Sequence, residues 1–178
     1  GNTVGSGEGG YVELSVGVVL PDMKEATRTL AAPAIERLHL LVFDDNGLLS
    51  EAVPATPCDK DGKEITTGDM WGETSAPTYF KVKLARTDYK RTIHFVANSP
   101  IANVMDYPMS TEGNILTSLV VSGQQDAYWQ RVVLPNGITG TQGKDDNGNV
   151  IYKPTDDVKA ALSGVPLVRN NSRVKVVN

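Results

Sequence analysis

Arg28 stands in the run KEATRTL, a basic residue in open polar company, which is the kind of position a trypsin-like protease cuts. It lies within PDMKEATRTLAAPAIE, which joins the strand-like stretch YVELSVGVVL (residues 11–20) to a second one, RLHLLVF (residues 37–43). A hairpin needs only a few residues for such a join, so the length of this tether asks for a reason.

The other residues that could do chemistry are less well placed. GSGEGG puts Gly5, Gly7 and Gly10 at dinucleotide-fingerprint spacing. That fingerprint must follow a strand and open a helix; this one precedes a strand, so a linker is expected. DKDGKE (59–64) and KDDNGN (144–149) share the spacing of a calcium loop but lack its full ligand set and closing glutamate. Hairpin turns are expected there, with no cation held by Asp59 and Asp61 or by Asp145 and Asn147. His39 and His94 each fall inside an apolar run with no paired His, Cys or Glu, so both read as packed strand residues. Cys58 sits in a polar stretch without a partner motif, and Ser163-Gly164 lacks the context of a nucleophile elbow. Trp71, Tyr79, Tyr128 and Trp129 could form a sugar-binding platform, although scattered aromatics more often pack a sheet face. No catalytic, metal or cofactor-binding residue is expected, and no enzyme.

The elements that must position these residues are strands. In residues 11–20, Val12, Leu14, Val16, Val18 and Leu20 alternate with Tyr11, Glu13, Ser15, Gly17 and Val19. Period two over that length makes a strand with one buried face, and Pro21 ends it. Leu40 to Phe43 is apolar on both faces, as in a strand covered on both sides. The DDNG at 44–47 supplies the positive φ of a tight turn, and LLSEAV reads as the return strand. Residues 54–78 read as a polar excursion rich in proline and glycine. YFKVKL (79–84) alternates with its lysines outward, and TIHFVAN (92–98) and YWQRVVL (128–134) read as further strands. Between them, 101–121 reads as irregular with a short helix capped by Ser110 or Thr111. NVIYKP completes a second hairpin, and VPLVRNNSRVKVV closes the chain in strand pattern. Residues 1–10 are half glycine and read as a flexible leader to one domain at 11–178. The sum is an all-β sandwich of about seven strands with one or two short helices.

Composition sets further bounds. The 178 residues carry 17 Lys and Arg against 21 Asp and Glu, and the signs are interspersed. A nucleic-acid binder would show a basic face, and none is visible. No apolar run approaches the roughly 20 residues of a membrane-spanning helix. One cysteine permits no internal disulfide.

The layout VELSVGVVL…ATRTLAAPAIERLHLLVFDDNG, together with RTIHFVANSP and the closing PLVRNNSRVKV, resembles the amino-terminal domain of the fimbrillin family, the type V pilus subunits of Bacteroidales. The resemblance covers most of residues 11–178. It implies a transthyretin-like, Greek-key sandwich, export, a lipid anchor upstream of this chain, and assembly with other pilus subunits at the outer membrane and cell surface. It also implies that an arginine-specific protease removes the first strand so that a strand of another subunit can replace it. Arg28 matches the cleavage arginine by position, with Arg37 as second candidate, and Val12, Leu14, Val16, Val18 and Leu20 are the core-facing residues of the removable strand. Such assembly calls for a first strand that is removable and edge-accessible. Family subunits carry a second β domain that donates the strand, and it is expected to be absent from this chain. A host glycan or protein receptor is the further partner implied. The alternative is a surface carbohydrate-binding β-sandwich module, which needs the aromatics to converge on one exposed face.

Overall fold

The structure is a computed structural model that describes residues 9–21, 35, 37–65, 78–98, 111–114 and 127–169. Ten strands and one complete helix are defined within these residues, and residues 112–114 are also helical, where a short helix was expected. They are β1 (Tyr11–Val19), β2 (Leu38–Phe43), β3 (Leu49–Cys58), β4 (Thr78–Ala85), β5 (Arg91–Ala97), β6 (Tyr128–Leu134), β7 (Gly140–Lys144), β8 (Val150–Pro154), α1 (Asp156–Ala161), β9 (Val165–Pro166) and β10 (Val168–Arg169).

One ladder path runs β10-β6-β5-β2-β3-β4-β1-β8-β7, with β9 added beside β1. The path folds over at β3. Residues 49–55 of that strand pair with β2, and residues 56–58 pair with β4. The two halves thereby face each other across one apolar core, which makes an all-β sandwich. Leucines and valines of β1, β2 and β4 meet Ile93, Phe95 and Ala97 of β5 and Tyr128 and Leu134 of β6 in that core.

β3 corrects the expected excursion at 54–78, because the strand continues through Pro54 and Pro57 to Cys58. Proline has no N–H to give a central ladder and is tolerated where a strand has a neighbour on one side only. Residues 49–55 pair with β2 alone, which suits Pro54; Pro57 lies opposite Phe80 of β4, and its carbonyl accepts the Ile65 amide at 3.0 Å. The excess over the expected seven strands comes mainly from β7, β9 and β10. The first is polar (GTQGK) and has no readable period, and the others divide the start of the expected closing strand into two pieces of two residues each.

β2 is covered on both faces, as its unbroken apolar run requires: Leu40, Leu41, Val42 and Phe43 are all fully buried. Leu41, Phe43, Leu49 and Val96 form a second, smaller cluster on the far face from the main core, with Ala52 and Trp129 against it. β4 buries Phe80, Val82 and Leu84 and turns Lys83 outward, and Lys81 is half-buried on the same outer face.

Three turns share one construction. In DDNGL (44–48), DKDGK (59–63) and DDNGN (145–149), Oδ1 of the first aspartate accepts the amide N–H of the third and fifth residues, each at 2.9 Å. The fourth residue is a glycine at φ 80°, 87° and 83° respectively. The calcium-like spacing therefore reflects a carboxylate turned back on its own backbone. Asp44→Ala should lower stability by about 1–2 kcal/mol, since it strips two amides, one of them part-buried, of their acceptor. Chemical denaturation of the variant would check this, with Asp145→Ala, whose two amides are exposed, expected to cost less.

Candidate functional site

The residue types of β1 dictate its position. Val12, Leu14, Val16, Val18 and Leu20 are between 0 and 6% exposed, and Tyr11 on the opposite face is 46% exposed. Tyr11 through Val18 pair antiparallel with Ala85 through Thr78 of β4. The other side of β1 is taken as well. Val12 pairs parallel with Tyr152 of β8, and Val18 and Val19 pair parallel with Val165 and Pro166 of β9. Between these, the Gly17 amide donates to Leu162 O at 2.8 Å, and the Leu167 amide donates to Val19 O at 2.8 Å. The first strand is therefore an interior strand, not the edge-accessible one expected. Its far side is closed by β8, α1 and β9, a unit the alternation of residues 11–20 could not foretell.

Both ends of β1 are pinned. The Arg86 side chain donates from Nε to Gly9 O at 2.6 Å, and its amide donates to Gly10 O at 2.9 Å. The guanidinium also lies 4.5 Å over the Tyr152 ring. Beyond the strand, Leu20 is 2% exposed and Ile35, where description resumes, is fully buried. Arg28 and the tether at 22–34 lie outside the described residues.

The other described arginines named as protease targets are held in backbone pairing. The amide of Arg37 donates to Asn98 Oδ1 at 3.3 Å, and its carbonyl accepts from the Asn98 amide at 2.9 Å. Arg91 opens β5 opposite Leu134, and Arg131 lies within β6 opposite His94. A protease needs an extended, unpaired backbone at the bond it cuts, and these positions do not offer one.

One polar constellation was not anticipated. His94 is fully buried, and its Nδ1 accepts from the Trp129 indole N–H at 2.9 Å. Its Nε2 lies 2.6 Å from Glu112 Oε2, and the same carboxylate receives Arg131 Nε at 2.5 Å. The indole is a donor only, so Nδ1 carries no proton, and Nε2–H must donate to Glu112. Burial pushes the His94 pKa below its ordinary value, against the pull of Glu112. Glu112 is itself held below the usual carboxylate range, first by the Arg131 hydrogen bond.

A histidine beside a carboxylate suggests a general base, but both ring nitrogens are occupied and the ring is sealed from solvent. The chain's use of it is mechanical: it ties residues 111–114 to the outer face of β5 and β6. Thr111 caps that turn through Oγ1 to the Asn114 amide at 3.2 Å, as expected, and Ser110 lies outside the described residues. The signal in the sequence was the alternate spacing of Trp129 and Arg131 on one face of β6; the pairing of His94 with Arg131 across the ladder could not be seen there.

Among the described residues the remaining candidates do not assemble. Tyr128 points into the main core, and Trp129, next in the strand, belongs to the outer cluster. Tyr79 lies on β4 beside Gly17, in the other half of the sandwich. Trp71 lies outside the described residues, as do Gly5 and Gly7. His39 is half-buried within β2, and burial lowers its pKa. The Cys58 thiol is buried 3.9 Å from Ser15 Oγ, and burial raises its pKa, which disfavours the reactive thiolate. Ser163 Oγ donates to the carbonyl of Ala160. The outward faces of β1, β4 and β8 border an open cleft, where Glu13, Asp61 and Asp156 mix with Lys81, Lys153 and Lys159 and give no single sign of charge. Among the described residues no group of three His, Cys, Asp or Glu could hold a metal, and no helix is long and apolar enough to cross a membrane.

No protein-family model matches the chain, and no curated protein does. Among solved structures, the tip fimbrial protein Mfa3 from Porphyromonas gingivalis, with a C-terminal truncation, is 18% identical. The alignment covers 89% of this chain and 48% of that one, at a TM-score of 0.45. A cell adhesion protein from Parabacteroides distasonis is 12% identical over 90% of this chain and 40% of that one, at a TM-score of 0.41. The chain spans less than half the length of either.

Proposed function

We propose that this chain is a subunit or adhesin of surface fimbriae, exported to the cell surface with a lipid anchor upstream, and assembled by strand exchange after proteolysis at Arg28. The observation that carries the reading is β1: it is paired on both sides where an edge-accessible strand was expected, but it is the first strand of the domain, supplies five core residues and is joined to the rest only through residues 20–37. The likeness of residues 11–178 to fimbrillin amino-terminal domains supports it. Removing residues 1–28 would strip β4 on one side and β8 and β9 on the other of their pairing. It would also empty five core positions, worth of order 10 kcal/mol at about 1.5–3 kcal/mol each. A domain's whole net stability is roughly 5–15 kcal/mol. A slot of that kind demands another strand. Supplied by another subunit, the strand makes a head-to-tail contact that does not close on itself, and the product is a filament.

Brief treatment with an arginine-specific protease, followed by mass spectrometry, tests the reading. The first cut should follow Arg28, ahead of Arg37, Arg86, Arg91 and Arg131, and Arg28→Ala should abolish it while leaving the fold intact. Because β1 is paired on both sides, the nicked strand should stay in place until mild denaturant or a competing strand peptide displaces it. A first cut elsewhere, or free loss of β1 with no change in stability, would overturn the proposal.

A further inference from the structure

We infer that the slot filled by β1 selects its occupant by a glycine: a replacing strand must lack a side chain at the position of Gly17. The inference rests on the strand-exchange reading above and names the chemistry of the incoming partner. A Cβ built on Gly17 would lie 2.4 Å from Ser163 O and 3.0 Å from the Ser163 carbonyl carbon. It would lie 3.1 Å from Cε1 of Tyr79, the cross-strand neighbour. The two closest atoms are backbone, which cannot swing aside as a side-chain tip can. They belong to the connection between α1 and β9, and that connection is anchored at both ends. Leu162 is fully buried and its carbonyl accepts the Gly17 amide; Val165 is 2% exposed and its neighbour Leu167 donates to Val19 O.

Gly17 is not among the residues at positive φ, so glycine is needed here for space and not for backbone conformation. The other outward positions of β1 carry Tyr11, Glu13, Ser15 and Val19. The roof is therefore local, and it converts a generic apolar groove into one with a fixed register. The strand that fits has apolar residues matching 12, 14, 16, 18 and 20, with glycine between the third and fourth. In the 178 residues this pattern occurs once, at β1 itself. The partner is accordingly an extended segment, lying outside residues 21–178, that bears the same signature.

The test uses the full chain with a specific protease site introduced between residues 22 and 34, cut so that both pieces remain together. Labelled peptides of residues 9–21 are offered in mild denaturant, and their incorporation is read by fluorescence anisotropy. The native peptide should exchange in, a scrambled one should not, and a Glu13→Val peptide should enter as the native one does. Gly17→Ala should enter less well, and Gly17→Val at least about tenfold less well, since overpacking against fixed backbone carries that scale of penalty. In the intact chain, Gly17→Val should lower the melting temperature and Glu13→Val should not. Equal entry of the Gly17→Val and native peptides overturns the glycine rule and leaves strand exchange standing. Failure of the native peptide to enter under any condition overturns strand exchange, and the glycine rule with it.

Discussion

Val16→Asp should abolish cooperative folding of the domain at 25 °C, and Leu14→Ala should cost about 2–5 kcal/mol, whereas Glu13→Gln should fall within about 0.5 kcal/mol of the parent. The three positions lie on one strand and differ only in the face they present. Val16 is fully buried in the main core opposite Phe80, and a carboxylate placed there finds neither water nor a partner in that apolar cluster. Burying an unpaired polar or charged group costs several kcal/mol, a large fraction of the roughly 5–15 kcal/mol available. Leu14 loses its packing and leaves a cavity. Glu13 lies on the outward face and forms an ion pair with the exposed Lys83, 3.7 Å away, a surface pair that contributes little. Urea denaturation followed by circular dichroism would separate the three. A Val16→Asp variant as stable as the parent would mean that β1 is not part of the core, and the slot would then have no energetic basis. The same series measures how strongly the domain depends on its first strand, which is the quantity strand exchange exploits.

Glu112→Ala should cost about 2–3 kcal/mol, because it leaves the buried Nε2–H of His94 without an acceptor. The Arg131 half of the network stands partly in water and contributes little to that loss. The same buried ring makes stability depend on pH in a stated direction. The folded state holds His94 below its ordinary pKa of 6.5, chiefly through burial, so near that pH the unfolded chain takes up a proton that the folded chain refuses. Stability should therefore fall as pH drops through about 6.5 and continue to fall until the folded His94 protonates. His39, also lowered by burial, acts in the same sense. Glu112, lowered by Arg131, adds a further loss at pH values below the ordinary carboxylate range. Melting temperatures between pH 8 and pH 5 would record the slope, and proton NMR should find His94 titrating below its ordinary value. A His94 that titrates near 6.5, or a Glu112→Ala variant of parental stability, would show that the network does not hold residues 111–114 to the sheet.

How far the sequence could be read depended on whether the information was local. The alternation from Val12 to Leu20, the two-faced run from Leu40 to Phe43 and the outward lysines of β4 announced strands and their buried faces, because a strand's side chains alternate by covalent geometry alone. The aspartate–glycine turns were equally legible, since each closes through bonds within five residues. Helix α1 was not: in TDDVKAAL only Val158 and Leu162 face the core, too few to establish a period over six residues. β7 is a strand by virtue of its neighbours, having no pattern of its own, and the closing strand pattern from Val165 divides into β9 and β10, which pair with different strands.

Three features were settled by the tertiary structure alone. Pro54 and Pro57 look like strand breakers, yet β3 runs through both, its ladder partner changing from β2 to β4 between them. His94, Glu112, Trp129 and Arg131 carry chemistry only because the β5–β6 register and the 111–114 turn bring them together. The interior position of β1, and the backbone lying over Gly17, arise from the parallel return of β8, α1 and β9. By itself the sequence determined which residues of the first strand must be buried, because burial follows from hydrophobicity and a period of two. Which strands lie on either side of it, and so what a replacement strand must look like, came from contacts between segments far apart in the chain, which no local period encodes.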